Sequence, residues 1–337
     1  MTGFLRPFCN LFSILLYLTP RSIRDRGICS RKHTTSFFFM WQQLLQQMQQ
    51  GDVKALARSI SLIENEQPGY EMLLQSIPPA SAKIIGITGP PGAGKSTLAD
   101  SLIALLVNDG KKVAVLCIDP SSPFNLGAVL GDRIRMSDWY THPGVFIRSL
   151  ATRGSMGGLH PKIIEITDLL KAFGFDHIIV ETVGVGQSEI EIAGLADVTV
   201  VVMVPEAGDE VQTMKAGLME IADVFVVNKA DRPDADVFVK NLRLMLAPTF
   251  SKHYNEVPVV KTVASQKEGI KELLDIILHQ LQKAHLNDKT FWLLAERAYY
   301  LIEQKRMKGV DKLALKKEIE AAYQKGDFNL YKFIADK

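Results

Sequence analysis

A glycine-rich loop between an apolar strand and a helical segment is the feature that most constrains the fold of this chain. The loop reads GPPGAGKST and covers residues 89–97. The apolar run KIIGIT at 83–88 precedes it, and helical spacing of apolar residues follows over 97–107. A strand, a glycine-rich turn and a helix in this order indicate an open α/β sheet, in which ligands bind at the carboxyl ends of the strands.

The loop fits the phosphate-loop pattern through Gly89, Gly94, Lys95 and Ser96. Glycines allow backbone N–H groups to converge on phosphate oxygens, and the helix N-terminus adds positive potential. Lys95 is expected to reach the β- and γ-phosphates, and the Ser96 hydroxyl to bind Mg²⁺. The expected phosphate-binding residues are Gly89, Gly92, Ala93, Gly94, Lys95, Ser96 and Thr97.

Short β-branched runs alternate with amphipathic stretches from residue 83 to about residue 264. The predicted strands are 83–88, 112–118, 145–150, 177–181, 198–204, 224–229 and 257–263, with helices at 97–107, 161–173 and 211–221. This alternation is typical of a mostly parallel, doubly wound sheet with helices on both faces.

An acid follows the strand at 177–181, in the stretch HIIVETVGVGQSE. Glu181 and Gly184 form ExxG, where most GTPases have DxxG. We expect the Gly184 N–H to reach the γ-phosphate, and Glu181 to hold Mg²⁺ through water or to orient the attacking water. Asp119 ends the strand at 112–118, so its carboxylate is expected at the same edge of the sheet.

The stretch VVNKAD at 226–231 is expected to select the base. It supplies Asn228, Lys229 and Asp231 directly after a strand. A carboxylate can accept from both the N1–H and the 2-amino group of guanine, whereas adenine offers it a lone pair at N1. Leaving the carboxylate unmatched is costly, so the sequence predicts GTP rather than ATP.

Two arginine-rich stretches are expected to be switches that order on nucleotide binding. GDRIRM at 131–136 contains Asp132, and FIRSLATRGSMGGLH at 146–160 contains Arg148 and Arg153. Their length and charge favour this interpretation over a solvated connection.

Taken together, the motifs resemble the MeaB/ArgK-type GTPases, which are G-protein chaperones of cobalamin-dependent methylmalonyl-CoA mutase and its relatives. The resemblance covers about 41–337 and rests on GPPGAGKST, DPSSP, GDRIRM, RSLATRGSMGGL, ETVGVGQSE and QTMKAGLMEIADVFVVNKAD. It implies a G domain of the signal-recognition/MinD-type class that uses GTP or GDP with Mg²⁺. It further implies an acyl-CoA mutase as partner and a homodimer.

The resemblance also implies roles for individual residues. Mg²⁺ and hydrolysis roles fall on Ser96, Asp119, Asp132 and Glu181, with Lys95 among the catalytic residues. A third switch is implied at 205–215, where the relay residues are Asp209, Glu210, Gln212 and Lys215. In the guanine loop, Val263 stands where the family usually has serine, so only the backbone contact of Ala264 carries over.

The ends of the chain differ from its centre. The leader at 1–39 reads as a signal-peptide core, an organellar presequence or sequence upstream of a start at Met40, and we favour the last. Residues 40–80 are predicted to form a helical hairpin, with Trp41, Leu44, Leu45 and Met48 on one face and Val53, Leu56, Ala57 and Ile60 on the next. The GTPase domain is expected at 81–283 and a helical dimerisation arm at 284–337.

Composition excludes several classes of protein. A net charge of +2 gives no argument for nucleic acid as a partner. The three cysteines have no metal-ligand spacing and predict a reducing compartment, so we expect a cytoplasmic protein, or a mitochondrial one if 1–39 is a presequence. The apolar run in 1–39 is too short for a membrane span.

Three other functions stay open at this point. Such proteins have been thought to phosphorylate amino-acid-binding proteins of transport systems, although no kinase acceptor motif is present. A nickel-insertion GTPase would need Cys/His clusters that the sequence lacks. A nucleotide-binding scaffold without turnover is the third alternative.

Overall fold

The computed structural model describes residues 39–119, 136–152, 159–182, 188–205, 219, 221–246, 257–283, 288–307, 309–326 and 328–335. The chain divides into two compact units, of which the first ends at Ile277 and the second is Leu278–Lys337.

The first unit contains a seven-stranded sheet. Its strands are β1 (Lys83–Thr88), β2 (Val113–Asp119), β3 (Val145–Ala151), β4 (His177–Glu181), β5 (Val198–Met203), β6 (Val224–Val227) and β7 (Val259–Lys261). Their order is β3-β2-β4-β1-β5-β6-β7, and every described pair is parallel. All seven predicted strands are confirmed, and the described sheet is wholly rather than mostly parallel.

Helices account for most of the remaining described residues. They are α1 (39–49), α2 (Val53–Glu64), α3 (Tyr70–Ser76), α4 (Lys95–Asn108), α5 (Ile163–Phe173), α6 (Ser188–Leu195), α7 (Ala235–Leu246), α8 (Ile270–Lys283), α9 (Asp288–Met307), α10 (Lys312–Gln324) and α11 (Leu330–Ala335). Helix α4 begins at Lys95, two residues before the predicted start. The predicted helix at 211–221 lies almost wholly outside the described residues.

The N-terminal element has three helices where the sequence predicted two. Trp41, Leu44 and Met48 are buried as expected, but Val53 is 45% exposed. Asp52 is the reason, because its Oδ1 accepts from the N–H groups of Lys54 at 2.8 Å and Ala55 at 3.3 Å. This cap makes Val53 the first helical residue, beyond the edge of the core.

The two faces of the sheet pack against different helices. Ile178 and Val180 lie in an apolar cluster with residues of α2, α5 and α6. Helix α4 has no residue in that cluster and packs against β1, β2 and β4. Successive strand residues point to opposite faces, so Glu181 and Asp119 point away from this cluster, toward α4. Both carboxylates therefore lie on the face of the sheet against which α4 packs, the helix that follows the phosphate loop.

Candidate nucleotide-binding site

The phosphate loop is held by close approaches that only glycine permits. Gly89 has φ 137°, and a Cβ there would lie 2.0 Å from the Val202 carbonyl oxygen. Gly94 has φ 88°, and its Cβ would lie 2.4 Å from Asn228 Nδ2. The loop thus fits tightly between the ends of β5 and β6, which fixes where its N–H groups can converge.

Lys95 lies along the inside of this loop. Its side chain is buried, and Nζ donates to the carbonyl oxygens of Gly89 at 2.9 Å and Pro90 at 3.0 Å. These bonds hold the ammonium group over the loop, where it can exchange carbonyl oxygens for phosphate oxygens with little movement.

Ser96 and Glu181 meet at the carboxyl edge of the sheet. The Ser96 hydroxyl donates to Glu181 Oε1 at 2.6 Å, and both residues are buried. The register pairs Cys117 with Glu181, so Asp119 lies two residues further along β2 at the same edge, also buried. A hydroxyl and two carboxylates form an all-oxygen donor set of the kind that Mg²⁺ prefers, so the residues present fit this ion.

Asn228 joins the phosphate loop to the segment that follows β7. Its Nδ2 donates to the Ala93 carbonyl oxygen at 2.8 Å. Its Oδ1 accepts from the Thr262 hydroxyl and from the Ala264 N–H, both at 3.1 Å. This buried amide therefore brings together three segments that are far apart in the sequence.

Lys229 and Asp231 flank the opening of this region. Lys229 has a left-handed φ of 56°, and its Nζ donates to the Gly92 carbonyl oxygen at 2.8 Å. Asp231 is exposed. The structure thus places Asn228 and Lys229 in direct contact with the phosphate loop and leaves the Asp231 carboxylate accessible.

Several buried hydroxyl groups of the site were missed by the sequence prediction. They belong to Thr88, Ser101, Thr182 and Thr262. Thr182 Oγ1 donates to Thr88 Oγ1 at 2.9 Å, directly where β4 and β1 end. Ser101 Oγ lies 3.0 Å from the Ala264 carbonyl oxygen. The one available signal was that Thr88 ends a strand and Thr182 directly follows one, each next to a predicted site loop.

Some predicted site residues lie outside the described residues. These are Asp132, Arg153, Gly184, Asp209, Glu210, Gln212 and Lys215. Arg148, expected in a switch, instead belongs to β3 and contacts the N-terminal element. Its guanidinium pairs with Glu64 and donates to Ser61 Oγ at 3.0 Å.

A second polar cluster surrounds Lys162 just before α5, away from the phosphate loop. Lys162 Nζ lies 3.1 Å from Tyr70 OH, 3.0 Å from a Glu66 oxygen and 3.3 Å from a Glu165 oxygen. Burial alone would lower the pKa of Lys162, but the bond to Tyr70 and the two carboxylates outweigh it and raise that pKa. Burial raises the pKa of Glu165. We expect the lysine to stay charged, since two carboxylates face it.

Two kinds of feature are absent from the described residues. No group of three or more His, Cys, Asp or Glu side chains there is arranged to hold a metal ion. Within the same ranges, no helix is long and apolar enough to cross a membrane.

A parallel sheet with a phosphate loop after its central strand, and an Asn-Lys-x-Asp segment beside that loop, defines a P-loop GTPase. The family model described as methylmalonyl Co-A mutase-associated GTPase MeaB matches residues 56–314. The chain therefore belongs to the MeaB family and is a GTPase.

Similar proteins support this assignment. A Pyrococcus abyssi relative grouped with the GTPases is 46% identical over 295 residues, covering 86% of this chain and 89% of that protein. GTPase ArgK of Escherichia coli is 36% identical over 244 residues, covering 69% of this chain and 74% of that protein. The crystal structure of a LAO/AO transport system kinase superimposes with a TM-score of 0.61 at 26% identity, covering 88% and 95% of the two chains.

One relative is a mutase. The fused isobutyryl-CoA mutase of Geobacillus kaustophilus is 37% identical over 237 residues, which cover 66% of this chain and 22% of that protein. A segment similar to this GTPase is therefore part of a mutase polypeptide in that organism.

Proposed function

We propose that this GTPase is a chaperone of a cobalamin-dependent acyl-CoA mutase, and that the mutase is of the methylmalonyl-CoA type. In this role GTP binding and hydrolysis gate the loading of adenosylcobalamin and protect or reactivate the mutase. The observation that carries the proposal is the similarity to a segment of a fused mutase, because covalent fusion indicates that the two activities work together. The description of the matching family model supports the same partner.

The proposed hydrolysis site uses the residues gathered at the end of the sheet. Ser96, Asp119 and Glu181, with Asp132, would hold Mg²⁺, which neutralises charge on the β- and γ-phosphates. Lys95 would hold the same phosphates from the loop. Glu181 would orient the attacking water, since its strand holds the carboxylate rigidly.

The proposed base pocket uses Asn228, Lys229, Asp231 and Ala264. Asp231 would accept from the N1–H and 2-amino group of guanine, and the Ala264 N–H would donate to the carbonyl oxygen O6 of the base. The bonds of Asn228 to Ala93 and Thr262 support this arrangement, because they hold the two walls of the pocket together.

The experiment that tests the chaperone role is affinity capture from native cell extract, with the full chain bound to a non-hydrolysable GTP analogue. We expect the mutase to be retained with the analogue and to be released with GDP. Phosphate release by the full chain should also rise at least severalfold when the purified mutase is added. Absence of both effects would contradict the chaperone proposal.

A second candidate is phosphotransfer to amino-acid-binding proteins. It is favoured by one observation, the structural similarity to a protein described as a LAO/AO transport system kinase. Incubation with γ-labelled GTP or ATP and such a binding protein separates the two candidates, since a kinase would leave label on the protein and a chaperone would release free phosphate.

A further inference from the structure

The residue Ala264 is held from both sides of its backbone. Its N–H donates to Asn228 Oδ1 at 3.1 Å, and its carbonyl oxygen lies 3.0 Å from Ser101 Oγ. Both Ala264 and Ser101 are buried, at 3% and 2% exposed. The Ser101 contact therefore lies away from water, where a hydrogen bond is costly to lose.

Ser101 belongs to α4 and makes an unusual use of its hydroxyl. The hydroxyl of a serine inside a helix commonly donates a hydrogen bond to the carbonyl oxygen four residues earlier. The Ser76 hydroxyl does so toward the Met72 carbonyl oxygen at 2.7 Å. Ser101 has that local acceptor as well, the Thr97 carbonyl oxygen at 3.0 Å. A second acceptor at the same distance, 163 residues along the chain, distinguishes Ser101.

The guanine loop itself supplies one backbone bond to Ala264, because the Lys267 N–H donates to the Ala264 carbonyl oxygen at 3.2 Å. Position 263 is a valine, and its side chain is 6% exposed and offers no hydroxyl. Its backbone N–H donates to the Glu268 carbonyl oxygen at 3.1 Å, which closes the loop on itself. The Thr262 hydroxyl ties the loop to Asn228, whereas the hydroxyl that reaches the Ala264 carbonyl oxygen comes from Ser101 of α4.

We propose that Ser101 is a positioning residue for base recognition. Its hydroxyl anchors the Ala264 carbonyl, so that the Ala264 N–H keeps its direction when its acceptor changes from Asn228 Oδ1 to the O6 of guanine. This inference rests on the base pocket proposed above and not on the mutase partner. It gives α4 two contacts with the site, Ser96 at the phosphate end and Ser101 at the base end.

The test compares nucleotides that differ in their bases. Ser101→Ala in the full chain should weaken GDP binding about tenfold, the effect of losing one buried hydrogen bond. ADP has no O6 acceptor, and its phosphates meet an intact loop. The affinity of the protein for ADP, which is weaker than its affinity for GDP, should therefore change less than about twofold in Ser101→Ala. Dissociation constants for both nucleotides come from fluorescence titration with labelled GDP and competition by ADP.

Two control variants separate positioning from general damage. Ser101→Thr keeps the hydroxyl and should retain the preference for GDP over ADP. Ser59→Ala removes another fully buried helical hydroxyl, one with no hydrogen-bond partner in the described part of the chain, and should leave both affinities unchanged.

Three results would overturn the proposal. These are unchanged GDP affinity in Ser101→Ala, a parallel loss of GDP and ADP affinity in that variant, or a loss of preference in Ser101→Thr equal to that in Ser101→Ala with both variants folded by circular dichroism. Each of them would leave the mutase partnership untouched, because no mutase is present in the assay.

Discussion

Asp231 carries the choice of base in the proposed pocket. Asp231→Asn exchanges two acceptors for one acceptor and one donor, which no longer match the N1–H and 2-amino group of guanine. GTP affinity should fall by more than about tenfold, the cost of an unmatched polar group. Affinity for xanthosine triphosphate should rise, because an amide can donate to its 2-oxo group. Titration with both nucleotides is the measurement, and unchanged GTP affinity would rule out this pocket.

Glu181 is the residue whose charge should matter for turnover more than for binding. Glu181→Gln keeps an oxygen that can accept from the Ser96 hydroxyl, which lies 2.6 Å from the carboxylate. GTP·Mg²⁺ should therefore bind within a few-fold of the original chain. Phosphate release should fall by about a hundredfold, because the amide is a poor group for orienting or activating water.

The matched control for this variant is Glu272→Gln, which removes an exposed carboxylate on α8. It should leave phosphate release unchanged. Full turnover by Glu181→Gln would restrict the acid to a structural role.

Some residues of the site are predicted by a sequence motif, whereas others reach the site only through tertiary packing. Lys95 and Glu181 follow from local patterns, since a loop or strand end dictates what each can do. Ser101 and Thr262 have no such pattern, because their partners are 163 and 34 residues away. Their contacts depend on which helix lies against which loop, and that is decided by the whole sheet.

At the scale of elements, α2 is tied to the G domain by charged contacts. Glu64 pairs with Arg148 of β3, and their side chains are 10% and 25% exposed. Glu64→Gln removes the charge and leaves the guanidinium half-buried without its carboxylate. The free energy of unfolding should fall by about 2 kcal/mol, the value of a hydrogen bond to a charged group.

Urea unfolding followed by circular dichroism measures this loss. The control is Glu320→Gln, which breaks the exposed pair of Lys316 and Glu320 in α10. Exposed helical pairs contribute only about 0.3–0.5 kcal/mol. An equal effect of the two variants would show that the pair of Glu64 and Arg148 contributes no more to stability than an exposed helical pair.

Strands were predicted more reliably than the faces of helices. Each strand is a short run rich in β-branched residues, and β2, β4, β5 and β6 are buried along their whole length, so their composition alone marks them. The spacing at Val53 also fitted a helix, but spacing does not say which neighbour the helix will meet. The Asp52 cap makes Val53 the first residue of α2, and the buried face includes Leu56, Ile60 and Ile63.

At the scale of the whole molecule, the helices after residue 284 present apolar side chains to solvent. Phe291, Leu294, Ile302, Leu313 and Tyr323 are each more than half exposed. Exposed apolar surface of this extent marks an interaction site, and we propose a second copy of the chain as its occupant. Truncation after Ala284 should then give a monomer that still binds GTP.

Light scattering of the full and truncated chains measures this change, with GTP titration as the control for folding. A truncated chain that remains dimeric would place the interface elsewhere. A full chain that is monomeric would contradict the dimer itself.

The position of β1 in the sheet also bears on how the protein is made. β1 lies between β4 and β5, so Ile85 pairs with Ile179 on one side and with Val198 on the other. The phosphate loop therefore leaves the ribosome about 90 residues before its strand has a neighbour, and at about 5–20 residues per second this takes several seconds. During that time β1 has no strand partner, and α4 is the element that follows it directly and packs against it in the fold. The base pocket proposed above is complete only after Ala264 has been translated.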